Sequence, residues 1–232
     1  MKRSEMMVTF IPAVGLKQKY KVLGHFYTLN APEVEPLKCR SILEITSKDL
    51  SQSPAVDAIF VMMNPGSSRP MDETNHIVNS DCISGMTTRL VPTIPDTTQY
   101  QVMRVMHHSG WNRVRVLNLS DLRDSKSDSF AKRYMQLEAQ AGCKVHSVFA
   151  PERSSELQNH LSRKYNAPII CAWGVSNDLT PLIERTQCLL TSESHVIGLV
   201  KAGQSGKYFH PLPPLQRQQK QWVLQILQQL HT

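Results

Sequence analysis

The chain has 232 residues, 41% of them hydrophobic and 19% charged, which is the profile of an ordinary globular protein and excludes disordered, collagenous and disulfide-built classes. Lys and Arg number 26 against 19 Asp and Glu, a formal charge of +7 that favours an anionic partner such as nucleic acid. No stretch approaches the roughly 20 apolar residues of a membrane span, and no apolar signal region follows the basic start Met1 to Phe10, so we expect a cytoplasmic protein without membrane association.

The length suits a single domain over residues 1–232, read as an N-terminal elaboration over 1–50 and a core over 51–232. A monomer is expected. In chain order, Tyr20 to Thr28 and residues 40 to 46 alternate as strands around the turn-rich segment from Asn30 to Pro36, which predicts an N-terminal β-hairpin. Ala55 to Met63 is a continuous apolar run ending in Asn64-Pro65-Gly66, the pattern of a strand buried on both faces of a parallel sheet. Ser67 to Pro95, with its prolines, asparagines and weak periodicity, predicts a long loop with one short helix. Loops of that length in compact domains are usually functional.

Thr97 to Ser109 has helical spacing and stops at Gly110, and Val114 to Leu119 is a second buried strand. The segment from Arg104 to Arg133 carries seven Lys/Arg against three Asp, which suits either a phosphate-facing surface or solvated charge pairs. Pro151 to Tyr165 reads as a helix, Pro168 to Gly174 as a third strand, Asp178 to Arg185 as a short helix, and His195 to Val200 as a fourth strand. A final helix spans Pro214 to Leu230, with Trp222, Val223, Ile226, Leu227 and Leu230 on one stripe. Strand and helix alternate, so the expected architecture is α/β: a three-layer α/β/α sandwich around a central, mostly parallel four-stranded sheet, with ligands beyond the carboxyl ends of the strands.

Three polar residues fall at or after strand ends: Asn64, Asn118 in Val116-Leu117-Asn118-Leu119, and His210 in Phe209-His210-Pro211-Leu212. Each has an ordinary reading, as turn residue, strand-end cap and loop histidine respectively. The topology can also bring all three to one crevice. Five dispersed cysteines without a C-x-x-C pair suggest buried free thiols and no zinc site, and His107-His108 with Cys143 or His146 lacks metal-ligand spacing. No cofactor is indicated, because no phosphate-binding glycine motif joins a strand to a helix. Trp173 fits the core better than a base-stacking role.

Asn-Pro-Gly after the first buried strand, an Asn in a later strand and a late His-Pro together resemble the uracil-DNA glycosylase superfamily, especially its mismatch-specific branch. More closely, Met63-Asn64-Pro65-Gly66-Ser67 with Asp72-Glu73-Thr74, Asn118-Leu119, Ala172-Trp173-Gly174 and His210-Pro211-Leu212 resemble a bacterial and phage family of domains of unknown function, number 1643, over roughly residues 20 to 215. The last motif lacks the serine of the glycosylase pattern, and the first lacks its water-activating Asp.

The resemblance implies a monofunctional DNA glycosylase that hydrolyses the N-glycosidic bond of a modified base, preferably a pyrimidine, in antiphage defence or repair. Asn64 and His210 would be catalytic, with Asn64 orienting water and His210 stabilising the leaving base. Asn118 would read a flipped base. Pro65, Gly66, Ser67, Asp72, Arg123, Lys201 and Lys207 would complete the substrate site, with backbone N–H groups and cations on DNA phosphates. A hydrolase or transferase acting on free nucleosides or nucleotides, and a non-catalytic binding or protein-interaction module, are the alternatives.

Overall fold

The computed structural model describes residues 8–49 and 55–231, so the reading of Met1 to Met7 and the expected domain junction at residues 50–54 lie outside the described residues. A short helix, α1 (Ala13–Lys19), precedes two long strands, β1 (Tyr20–Asn30) and β2 (Leu37–Ser47). They pair antiparallel from Tyr20 opposite Ser47 to Leu29 opposite Leu37, with a register shift between His25 and Phe26. The expected hairpin is therefore present and longer than its alternation suggested. It is also part of the main sheet and not an appendage, because β2 pairs antiparallel with β7 (Arg113–Asn118).

The central apolar run forms β3 (Ala58–Met62), buried along its whole length. Short strands β4 (Arg69–Pro70), β5 (Ile77–Asn79) and β6 (Val91–Ile94) follow, then α2 (Thr97–Ser109), β7, α3 (Ser127–Ala141) and α4 (Ser154–Leu161). The chain ends with β8 (Ile169–Cys171), α5 (Thr180–Leu190), β9 (Val196–Ile197) and α6 (Gln216–Leu230). Among the described residues the sheet has nine strands, in the order β4-β6-β1-β2-β7-β3-β8-β9, with β5 on β1.

This corrects the expected four-stranded parallel sheet. The four predicted core segments do lie together as the parallel run β7-β3-β8-β9. The antiparallel hairpin extends it, and the presumed loop from Ser67 to Pro95 folds back onto the hairpin as β4, β5 and β6 around a 3₁₀ turn at Ser80–Gly85. Its strands are too short for periodicity to mark them.

Helices cover both faces. Ile59, Val61, Leu117 and Ile169 pack with Phe130, Tyr134 and Leu137 of α3, Leu157 of α4 and Leu182 and Ile183 of α5. On the opposite face Ala58, Phe60, Met62, Val114 and Val116 meet Leu16 of α1, Val102, Val105 and Met106 of α2, and Trp222, Val223 and Ile226 of α6. Alternate residues of one strand thus enter two cores, which is why β3 reads as unbroken apolar sequence. No helix of the described residues is long and apolar enough to cross a membrane.

Candidate functional site

The carboxyl ends of β3 and β7 are held together beyond the ladder: Leu119 N–H donates to Met62 O at 2.8 Å and Ser120 N–H to Met63 O at 3.3 Å. From β3 the chain reaches β7 on one side of the sheet and later β8 on the other, so this is a topological switch point, where open α/β sheets leave a crevice. A pocket of about 220 Å³ opens there, lined by the turn from Met63 to Ser67, the start of α2 at Asp96–Gln99, Ser125 and Ser127 before and in α3, and Arg40 and His210. That volume is below the roughly 300–1,000 Å³ of drug-sized ligand sites and suits a single small ring system.

Gly66 adopts φ +62°, and a Cβ on it would lie 2.6 Å from Asp96 Oδ2. The turn therefore needs Gly both for its left-handed backbone and for the close approach of that carboxylate. Gly66→Ala should cost about 1–2 kcal/mol from backbone strain alone, measured by urea denaturation, with further loss from displacing Asp96.

Asn64 is half-buried, and its Nδ2 donates to Asp124 O at 2.7 Å and Leu122 O at 3.2 Å. Two carbonyl acceptors fix the amide orientation, leaving Oδ1, which makes no hydrogen bond among the described residues, as the acceptor for a ligand or water. Asn64 is thus both a strand-end tie and a candidate water holder.

His210 reaches the same pocket from the far end of the chain. Its loop is pinned by Gln101 Nε2 donating to Pro211 O at 2.7 Å and Trp222 Nε1 donating to Phe209 O at 3.0 Å. His210 Nδ1 accepts the Leu212 N–H at 3.2 Å, which leaves the proton on Nε2. Burial lowers its pKa to about 4, so the ring is a neutral Nε2–H donor at neutral pH.

Arg40 and Asp96 complete the lining. Arg40 lies at the start of the predicted second strand, where nothing in the sequence marks it. Its side chain is 1% exposed and its Nη2 donates to Asn118 Oδ1 at 2.9 Å. Asp96 caps α2, accepting the N–H groups of Thr98 and Gln99 at 3.0 and 3.1 Å through Oδ1, while the Gln99 side chain returns to the Asp96 N–H. This capping box is legible in the sequence as Asp96-Thr97-Thr98-Gln99 before the apolar period of α2. Its place in the pocket is not.

Asn64, Pro65, Gly66, Ser67 and His210 are therefore brought together, while the other expected site residues lie elsewhere. Asn118 is 1% exposed and sits behind Arg40 without lining the pocket, so its contact is with that guanidinium. Asp72 and Arg123 line a separate depression near Arg69 and Lys38, where Arg123 Nε donates to Ser68 O at 2.9 Å. Lys207 is buried, its Nζ donating to Ser176 O at 2.7 Å and Thr180 Oγ1 at 2.9 Å, which corrects its reading as a phosphate contact. Lys201 lies in the same loop and its N–H donates to Lys207 O.

Trp173 is a core residue, with Nε1 donating to Gly206 O at 2.9 Å. Cys39, Cys143 and Cys171 are buried, with thiol pKa values raised chiefly by burial, whereas Cys82 and Cys188 are exposed. Ser120, His146 and Glu138 form a hydrogen-bonded series, with Ser120 Oγ 2.8 Å from His146 Nδ1 and Glu138 Oε1 3.0 Å from His146 Nε2. Ser120 and His146 are fully buried, so the hydroxyl has no route to a substrate.

No curated protein and no solved structure matches the chain. A family model does match, over residues 88–212, a narrower span than the 20 to 215 over which the motif resemblance was drawn. It takes in α2, β7, Asn118 and His210 and leaves out Arg40 and the Asn64-Pro65-Gly66 turn. Since more than half of the sequence lies within it, the chain belongs to the family described as Protein of unknown function (DUF1643).

Proposed function

We propose that the protein is a monofunctional DNA glycosylase that removes a modified base, preferably a pyrimidine, in repair or antiphage defence. The observation that carries this reading is the meeting, in one pocket sized for a single base, of a free amide oxygen on Asn64 and a neutral Nε2–H on His210. Cleavage of an N-glycosidic bond develops positive charge on the sugar and negative charge on the departing base. Asn64 Oδ1 accepts a hydrogen bond from water and orients it toward C1′; an amide is too weak a base to take the proton. The bond from C1′ to the base breaks with its electron pair leaving on the base, and His210 donates to the carbonyl oxygen where that charge accumulates. The water proton passes to solvent or to the released base. Cations for the DNA backbone are assigned to exposed Lys126, between the pocket-lining Ser125 and Ser127, and to exposed Arg69 of β4, two residues beyond the turn.

The test is single-turnover release of base from duplexes carrying different modified pyrimidines, read as alkali-labile abasic sites. Asn64→Ala and His210→Ala should each lower the rate by about 10²-fold, the scale of one lost orienting group or transition-state donor, while DNA binding persists. Near-native excision by folded Asn64→Ala would remove the water site from the mechanism. Release of base from nucleosides but not from DNA would identify a nucleoside hydrolase, and tight DNA binding without product a non-catalytic module.

A further inference from the structure

We infer that a groove lined by residues of β1, β2 and β4, apart from the switch-point pocket, is a second ligand site that takes a nucleotide, with its phosphate on Lys38, Arg69 and Arg123 and its base in the adjoining cavity. None of these residues lines the pocket of Asn64 and His210, so the inference and the glycosylase reading share Arg69 alone. The cations come from distant stretches of the chain and are tied together by Arg123. Its N–H donates to Lys38 O at 3.0 Å, and its Nε donates at 2.9 Å to the carbonyl of Ser68, the residue before Arg69. The three side chains line a depression of about 560 Å³, Lys38 and Arg69 exposed and Arg123 half-buried. Among the described residues no ion pair joins any of them to a carboxylate. Burial is the main cause of a lowered Arg123 pKa, opposed by Cys39 and reinforced by the charge of Arg69, so the guanidinium groups act on each other without an anion between them. Like charges gathered in a concavity attract an anion, and arginine forks match the oxygens of a phosphate.

Phe26 joins this depression to a larger cavity of about 720 Å³. It lines both, and the Arg123 guanidinium lies 5.4 Å from the centre of its ring. The cavity has the size of small-molecule sites. Its walls combine apolar Phe26, Val91 and Pro92 with the rings of His25 and His76. His25 spends both nitrogens internally, Nδ1 2.8 Å from Ser41 Oγ and Nε2 3.0 Å from His76 Nδ1. His76 Nε2 has no partner among the described residues, and with Asn75 and Thr87 it supplies polar groups to the cavity. Against Lys38, Arg69, Arg123 and the cavity's Arg89 the lining sets Asp72 and Glu73, both exposed, which leaves the groove net positive. Inorganic phosphate would use only the cationic end, and a sugar phosphate would leave the apolar walls uncovered. A nucleotide matches both ends, because its base is a flat apolar ring with a polar edge.

The experiment is calorimetric titration of the full chain with the deoxynucleoside 5′-monophosphates, the matching nucleosides and inorganic phosphate. At least one monophosphate should bind about tenfold or more tightly than both its nucleoside and inorganic phosphate, since each of those lacks one set of contacts. Lys38→Gln removes an exposed cation and should weaken the monophosphate by about fivefold, the scale of one charge-assisted contact at an exposed site, while nucleoside affinity holds. Thr87→Trp places bulk at an exposed position of the cavity lining and should reduce the monophosphate to the affinity of inorganic phosphate. His210→Ala, in the other pocket, should leave the monophosphate affinity unchanged. A monophosphate that binds no tighter than inorganic phosphate, insensitivity to either Lys38→Gln or Thr87→Trp, or a comparable loss in His210→Ala overturns the second site. Displacement of the monophosphate by a thymidine pentanucleotide of higher affinity identifies a nucleic-acid strand as the source of the nucleotide, and weaker displacement a free nucleotide; both uphold the site. The glycosylase reading fails separately, on absence of base release from DNA by the wild-type protein, which these titrations do not measure.

Discussion

Replacing Arg153 with Met should destabilise the protein by about 3–5 kcal/mol, the expected cost of leaving a buried charge without its partner. Arg153 and Asp121 form an ion pair at 2.6 Å with both side chains fully shielded from solvent. Arg153 also donates through Nε and Nη2 to Glu156 at 2.8 Å and through Nη1 to Val145 O at 3.0 Å. Burial opposes its charge, yet Asp121, Tyr27 and Glu156 outweigh that and hold its pKa above the ordinary arginine value. Without the guanidinium, Asp121 keeps only Tyr27 OH, at 2.8 Å.

Asp121→Asn should cost less, because Arg153 retains Glu156, and the inequality of the two variants in urea denaturation is the check. Equal losses would mean that side-chain packing, and not the stranded carboxylate, sets the cost. The network bears on the site as well: Asp121 O accepts the Arg40 N–H at 2.8 Å, so loosening Asp121 loosens the strand that carries Arg40.

Much of the frame was legible because its signals are strong and local. The helix Thr97–Ser109 has both boundaries where the spacing and Gly110 place them, since a capping box starts it and a left-handed Gly ends it. The core strands were legible as apolar runs, although His195 to Val200 contributes only the two residues of β9. α3 escapes the sequence reading because its first half, Ser127 to Arg133, belongs to the stretch weighed for its charge. Its buried Phe130, Ala131, Tyr134 and Leu137 nonetheless follow helical spacing.

The same division runs through the site. Asn64 and His210 stand at visible strand and loop punctuation, so their meeting could be expected from topology. Arg40 and Lys207 could not be sorted that way. One is a cation enclosed at a pocket and the other a cation enclosed by Ser176 and Thr180, and only tertiary burial separates them from surface charge. Asn118 was placed in the right neighbourhood, but Arg40 stands between it and the pocket.

Acidification should weaken the fold across a window set by two histidines. His25 has a pKa lowered to about 4 by burial first and by the neighbouring His76 second, with Arg153 and His160 also opposing its charge and Glu156 favouring it. Its Nδ1 is 2.8 Å from Ser41 Oγ and its Nε2 3.0 Å from His76 Nδ1, in a wall of the cavity of about 720 Å³ beside β6. His210 is lowered to about 4 by burial.

An unfolded histidine binds its proton near pH 6.5, so between about pH 6.5 and 4 the unfolded chain takes up protons that these two folded residues refuse. Stability from both is complete above pH 6.5 and is lost as pH falls toward 4, at up to about 1.4 kcal/mol per pH unit for each. Glu156, held at about 2 by His160 and Arg153 against the opposing effect of burial, extends the loss below pH 4.5. Urea midpoints measured from pH 7.5 to 4.5 should therefore be level at first and then decline, and His210→Gln should remove about half of the slope above pH 4.5. A flat profile down to pH 5 would mean that both rings protonate freely in the folded state. His210 would then carry charge in the pocket at mildly acidic pH and could not serve there as the neutral donor that the proposed chemistry requires.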